Sequence, residues 1–134
     1  MELSTTDHNC IDEMLRGFIE CALWTAELDD IGHDVEPKSC NAARGLIQDF
    51  YIQNHDDLWD VGREREADNK KWEAHGHDLW LTGQRHGAGF WDRGYGEAGD
   101  RLTKSAEATD LESWEIEFDE YNNDLVFFYP VNRD

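Results

Sequence analysis

The sequence predicts an α+β domain in which two N-terminal helices pack on an antiparallel sheet of two hairpins, with a short helix between the hairpins (order α-α-β-β-α-β-β). Two observations predict this class. Apolar residues recur at helical spacing in the first half of the chain, and two pairs of short apolar segments joined by turn residues occur in the second half. The chain has 134 residues and no repeat or linker that divides it, so residues 1–134 are predicted to form a single domain.

Two helices are predicted in the first half. The first covers residues 7–28 with Asp7 as its N-cap, and the second begins at Pro37, which suits a first helical turn, and ends near Asn54. Residues 29–36 form a polar loop between them, and the highly charged residues 62–73 are predicted to be a short exposed helix or a flexible connector. The predicted buried faces are Ile11, Met14, Leu15, Phe18, Ile19 and Ala22, and then Ala43, Leu46, Ile47 and Phe50.

Four strands and one short helix are predicted in the second half. The first hairpin pairs residues 77–82 with 89–95 across a glycine-containing connection. A short helix follows at about 97–108. The second hairpin pairs residues 114–119 with 125–129 across a turn at 121–124, and Pro130 ends its last strand. In the first of these strands apolar residues alternate with acidic ones, namely Trp114, Ile116 and Phe118 with Glu115, Glu117 and Asp119.

The composition excludes several classes of protein. The formal net charge is -19, which repels nucleic-acid phosphates and anionic lipids, so direct binding to nucleic acid or to an acidic membrane is not expected. Six Trp, six Phe and four Tyr argue against a disordered acidic tail. We find no apolar run of membrane-spanning length and no secretory signal, and three Cys without a CxxC pair favour reduced thiols, so a cytoplasmic protein is expected.

The negative charge is unevenly distributed. Residues 1–37 contain ten acidic residues and one basic residue, and residues 97–134 contain eleven and three, whereas residues 38–96 contain ten and eight. Acidic faces on a helix and a strand can place carboxylates at spacings comparable to phosphates, and so fit a basic nucleic-acid-binding groove. Solubility and adaptation to high salt remain alternatives. The predicted partner contacts are Asp12, Glu13, Glu20 and Glu27 on the first helix and Glu115, Glu117 and Asp119 on the strand.

The first hairpin resembles a segment in a family of small, uncharacterised tailed-bacteriophage proteins. The similarity is carried by GHDLWLT at 76–82 and HGAGFWDRG at 86–94, together with residues 18–24, residues 99–103 and the C-terminal hairpin. It covers most of the chain except roughly 55–74. The family has no established catalytic residues. The resemblance implies a viral accessory protein in a host bacterial cytoplasm. Together with the clustered charge, the small size and the absence of catalytic motifs, it leads us to predict a phage-encoded acidic inhibitor that binds a nucleic-acid-binding defence protein such as a CRISPR effector or a restriction enzyme.

Two other functions are open. His75, His77, Asp78, His86 and Asp92 are close in sequence and are candidate metal ligands, although no familiar ligand spacing is present. Alternatively, the protein is a phage housekeeping or assembly factor with an interaction or dimer surface formed by Trp80, Phe90 and Trp91, although at least two of these aromatic residues are expected to be core. No nucleophile motif is found, so we predict neither an enzyme nor a cofactor.

Overall fold

The structure, a computed structural model, describes residues 1–28, 34–63, 71–119 and 125–130. Within these ranges the α-helices are α1 (Thr5–Thr25), α2 (Pro37–Gln53), α3 (His55–Arg63), α4 (Lys71–Gly83) and α5 (Gly96–Glu107). Single turns of 3-10 helix cover Phe90–Asp92 and Leu111–Ser113. Three strands, β1 (Asp34–Val35), β2 (Trp114–Asp119) and β3 (Leu125–Pro130), form one small sheet in the order β1-β3-β2.

The predicted α+β fold class is wrong, because the protein is mostly helical. The first predicted hairpin does not form: residues 77–82 lie inside α4, and residues 89–95 contain a 3-10 turn at Phe90–Asp92. Strands β2 and β3 pair antiparallel, and β1 pairs parallel to β3. The sheet is therefore a small addition to a helical core, and the helices do not pack on a sheet of two hairpins.

Helix α4 forms because its buried residues recur at helical spacing. Its buried face includes Trp72, His75, Gly76, Leu79, Trp80 and Gly83. This face packs most extensively against α1. The two helices approach so closely that a Cβ added at Gly17 would lie 2.0 Å from the Glu73 carbonyl oxygen, and one added at Gly76 would lie 2.0 Å from the Met14 carbonyl oxygen. The glycines therefore belong to a helix crossing rather than to a hairpin.

Helix α1 begins at Thr5, three residues before the start that an N-cap at Asp7 would give, so the predicted N-cap is wrong. Ser4 is the N-cap, and Asp7 is the third helical residue and completes a capping box with it. At the other end, the Leu28 amide donates to the Leu23 carbonyl at 2.9 Å, and Glu27 has φ 61°, as at the end of a Schellman motif. The predicted apolar face is largely confirmed, with Ile11, Met14, Phe18 and Ala22 buried and Leu15 and Ile19 partly buried.

The helices α2 and α5 lie where they were predicted. Pro37 is the first residue of α2, and Glu36 is its N-cap. Leu102 and Ala106 of α5 are fully buried. Of the predicted charged stretch 62–73, Gly62 and Arg63 end α3, and Lys71 begins α4. Residues 64–70, on which the prediction of a helix or a connector mainly depends, lie outside the described residues. The same is true of residues 29–33 and of the predicted turn 121–124.

The core lies between α1, α4 and α2 and extends to the start of β2. Phe18 of α1 meets Trp80 of α4 edge-on with ring centroids 5.2 Å apart, and meets Trp114 of β2 at 6.5 Å. Phe50 of α2 stacks on Phe90 at 5.8 Å. In the part of the chain that the structure describes, no helix has the length and apolar character needed to cross a membrane.

Candidate functional site

The predicted contact residues of α1 lie at or near its surface and differ in their neighbours. Asp12 forms an ion pair with Arg44 of α2, which neutralises part of its charge. Glu13 is half-buried. Glu20 has a side chain 62% exposed, with its Oε1 3.9 Å from Nε2 of His77. Glu27 is exposed just beyond the helix end. Glu20 and Glu27 are therefore exposed carboxylates near the C-terminal end of α1 that form no ion pair with an arginine or lysine of the described residues.

The predicted acidic face of β2 is present for two of its three residues. Glu115 and Glu117 are exposed, whereas Trp114 between the sheet and α1 is buried. The alternation along the strand produces this separation, because successive side chains point to opposite faces. The backbone of Asp119 lies in β2, and its side chain is outside the described part of the structure. Trp114 and Phe18 join β2 and α1 in one core, so both acidic faces belong to one packed unit.

The arginines of the described ranges are all bound to carboxylates. Arg101 donates two hydrogen bonds of 2.8 Å to Asp57, and Arg93 donates to the buried Asp78 at 2.8 and 3.2 Å. The remaining pairs are Arg16 with Glu73, Arg44 with Asp12, Arg63 with Asp60, and Arg85 with Glu107 and Glu112. The described arginines are therefore paired with carboxylates of the same protein, whereas Glu27 and Glu115 form no ion pair among the described residues.

A buried polar network lies under the start of α1. The Tyr51 hydroxyl donates to Asp7, the Trp59 indole donates to Tyr51 at 3.1 Å, and Nε2 of His55 lies 3.7 Å from Asp7. The hydrogen bond from Tyr51 holds the pKa of Asp7 below its ordinary value, and burial raises the pKa of Tyr51. Every polar group here has a structural partner, so the network stabilises the junction of α1, α2 and α3.

The histidine-rich segment does not assemble a metal site in the described residues, where no group of three or more metal-ligating side chains comes together. His75 is fully buried between the rings of Trp72 and Phe90, at centroid distances of 5.0 and 6.3 Å. His77 lies near Glu20, and Asp92 accepts a hydrogen bond of 3.1 Å from the Gly89 amide. His86 is exposed after α4, and Asp78 binds Arg93. In a strand His75 and His77 would point to the same face, whereas in α4 they point to different sides of the helix.

The three cysteines are free thiols. Cys10 and Cys21 are buried on α1. Burial, followed by nearby carboxylates, raises the pKa of Cys10 to about 11 and that of Cys21 to about 12. Burial also raises the pKa of Cys40. A neutral buried thiol is a poor nucleophile, so Cys10 and Cys21 fill space in the core.

Two tryptophans are exposed, and only Trp91 belongs to the interaction surface predicted from the sequence. Trp91 is 54% exposed, and Trp24 on α1 is 62% exposed. Trp80 and Phe90 are buried, which confirms that two of the three aromatic residues of the predicted interaction surface are core. The sequence does hold a signal for Trp24: it follows Glu20 by one helical turn and lies off the apolar arc of the first helix.

An open groove of about 390 Å³ lies between α2, α5 and the start of β2. Asp49 and Asp110 contribute carboxylates to it, and Phe50 and Trp114 form buried parts of its wall. Trp114 donates its indole hydrogen to Asp110 at 2.9 Å, so that carboxylate is fixed by the fold. The groove adds further acidic groups to the surface.

Comparisons of this chain with protein-family models, with curated proteins and with solved structures find no match.

Proposed function

We propose that this protein is an acidic inhibitor that binds the basic nucleic-acid-binding surface of another protein. The resemblance to small bacteriophage proteins makes a host defence protein, such as a CRISPR effector or a restriction enzyme, the first target to test. One observation supports the proposal above others: each arginine in the described ranges is bound to a carboxylate, whereas Glu27, Glu115 and other carboxylates face solvent.

The proposed mechanism is electrostatic competition. A basic groove concentrates polyanions, and the field that attracts nucleic acid also attracts a protein with a net charge of -19. Glu115 and Glu117 project from the same side of a rigid strand, so their carboxylates are held in place without a large loss of backbone entropy on binding. Occupation of the groove would then exclude the nucleic acid.

The test is affinity capture from a lysate of a bacterium that carries such defence systems, with mass spectrometry of the bound proteins. We expect nucleic-acid-binding proteins to be enriched at ~0.05 M salt and lost at ~0.5 M, because salt screens exposed charges. Added duplex DNA should displace them. Absence of nucleic-acid-binding proteins from the low-salt fraction, or capture that DNA leaves unchanged, would contradict the proposal.

Matched variants separate a defined surface from total charge. Glu115→Gln with Glu117→Gln should weaken binding to a captured protein by about 3- to 10-fold at low salt, as expected for two exposed ion pairs. Glu97→Gln with Asp100→Gln removes the same charge from the exposed side of α5 and should change binding less than about 2-fold. Equal losses in both variants would show that net charge alone drives association.

A further inference from the structure

Trp24 lies on an exposed part of α1. Trp24 is 62% exposed, although it belongs to a helix with a buried apolar face. A large exposed aromatic side chain on a rigid helix is the type of residue that dominates binding energy at interfaces. Trp24 is therefore a candidate anchor for a partner.

The surroundings of Trp24 are negative. Glu20 precedes it by one helical turn and has a side chain 62% exposed, and Glu27 follows it at the helix end. The last turn of α1 contains no basic residue, so the negative end of the helix dipole is not offset by a side chain there. Arg16, the basic residue of α1, lies two turns away and binds Glu73. A cation at Trp24 would meet an aromatic face and three sources of negative potential.

We infer that Trp24, Glu20 and Glu27 form a binding site for an arginine side chain of the partner. A planar guanidinium can stack on an indole while it donates hydrogen bonds to carboxylates, which a lysine ammonium does less well. In addition, an aromatic ring beside two carboxylates resembles a flat base with flanking phosphates, which is the pattern that single-strand-binding proteins recognise. This inference rests on the proposed function, since it identifies the chemistry that the basic partner would supply.

The probe that tests the site is a fluorescein-labelled oligo-arginine peptide, compared with an oligo-lysine peptide of the same length, titrated against the full chain. We expect the wild type to prefer the arginine peptide. Trp24→Ala should abolish the preference by weakening arginine-peptide binding about 2- to 5-fold, the size of an exposed cation–π interaction. Trp91→Ala, which removes a tryptophan of similar exposure, should leave the preference unchanged. The double variant Glu20→Gln with Glu27→Gln should weaken the binding of both peptides.

A site-resolved measurement accompanies the titration. With 5-fluorotryptophan incorporated, the ¹⁹F resonance assigned to Trp24 by its loss in Trp24→Phe should shift more than that of Trp91 on addition of the arginine peptide. An unchanged preference in Trp24→Ala, or an equal loss in Trp91→Ala, would overturn the inference. These outcomes can be distinguished from failure of the proposed function. Lysate capture can fail while peptide binding still depends on Trp24, and capture can succeed while Trp24→Ala leaves the peptide preference unchanged.

Discussion

Asp7 shows how one carboxylate can serve both a helix end and the core. It accepts hydrogen bonds of 2.9 Å from the amide and hydroxyl of Ser4, and another from the buried hydroxyl of Tyr51. The first two contacts are local and satisfy the start of α1, and the third joins α1 to α2. Loss of the charge on Asp7 therefore weakens a cap and leaves a buried tyrosine with a poorer acceptor.

Asp7→Asn should lower the free energy of unfolding at pH 7 by about 1–2 kcal/mol, because hydrogen bonds to a charged group are replaced by neutral ones. The pKa of Asp7 in the folded state is below the ordinary value of 3.8, so its contribution is present above pH 3.8 and is lost as the pH falls through the folded-state pKa. Urea denaturation should therefore show that wild type and variant converge in acid. Glu2→Gln, at an exposed position, is the control and should match wild type throughout. A gap that persists unchanged in acid would contradict this role for the charge.

The local part of this arrangement can be predicted from sequence, and the long-range part cannot. Ser4 and Asp7 have the spacing of a capping box, so the helix start at Thr5 is contained in four consecutive residues. The choice of Asp7 as N-cap overlooked Ser4. The contact with Tyr51 joins residues 44 positions apart and depends on how α1 and α2 pack, which no local pattern specifies.

At the scale of elements, the largest difference between prediction and structure is α4, which contains the residues 77–82 that were predicted to form a strand. The glycine-containing connection between residues 77–82 and 89–95 predicts a hairpin. Gly76 and Gly83 each disfavour a helix by up to about 1 kcal/mol. In the structure a side chain at Gly76 would collide with the backbone of α1, so the glycine enables helix packing that outweighs its intrinsic cost. The helical spacing of Trp72, His75, Leu79 and Trp80 was present in the sequence.

Gly17→Ala and Gly76→Ala should each lower the free energy of unfolding by about 3 kcal/mol or more, since the added methyl group forces the crossing helices apart. Gly45→Ala is the matched control. Gly45 lies on an exposed side of α2 with nothing within 4 Å of an added Cβ, so this variant should gain about 0.5–1 kcal/mol. Thermal or urea denaturation followed by circular dichroism measures all three. Equal stability of Gly17→Ala and Gly45→Ala would show that the crossing is not as close as described.

At the scale of the whole molecule, several of the described arginines join one helix to another. Arg101 of α5 binds Asp57 of α3, and Arg44 of α2 binds Asp12 of α1. The sequence could show that acidic residues outnumber basic ones at both ends of the chain. It could not show that Asp12 is partly neutralised while Glu20 and Glu27 are exposed, because these differences arise from pairs distant in sequence.

Salt should stabilise the folded protein. Self-repulsion among exposed carboxylates opposes folding at low ionic strength, so raising NaCl from ~0.02 M to ~0.5 M should raise Tm by several degrees as these charges are screened. Scanning calorimetry or circular dichroism provides the measurement. Glu115→Lys with Glu117→Lys reduces the net negative charge and should show a smaller rise. A fall in Tm with salt would mean that ion pairs outweigh repulsion, and a chain unfolded at the lower salt concentration would favour salt adaptation as the origin of the acidity.

The partnership of α1 with α4 has a consequence during synthesis of the chain. Gly17 and Gly76 meet across the crossing, and the last residue of α4, Gly83, is made 58 positions after the last residue of α1, Thr25. At ~5–20 residues per second, a ribosome needs roughly 3–12 s to add these residues. Throughout that interval the first helix can pack against α2 but lacks α4, the element with which it packs most extensively. Nascent chains halted before residue 83 should therefore be preferred clients of ribosome-associated chaperones, and release from the chaperone should coincide with completion of the fourth helix.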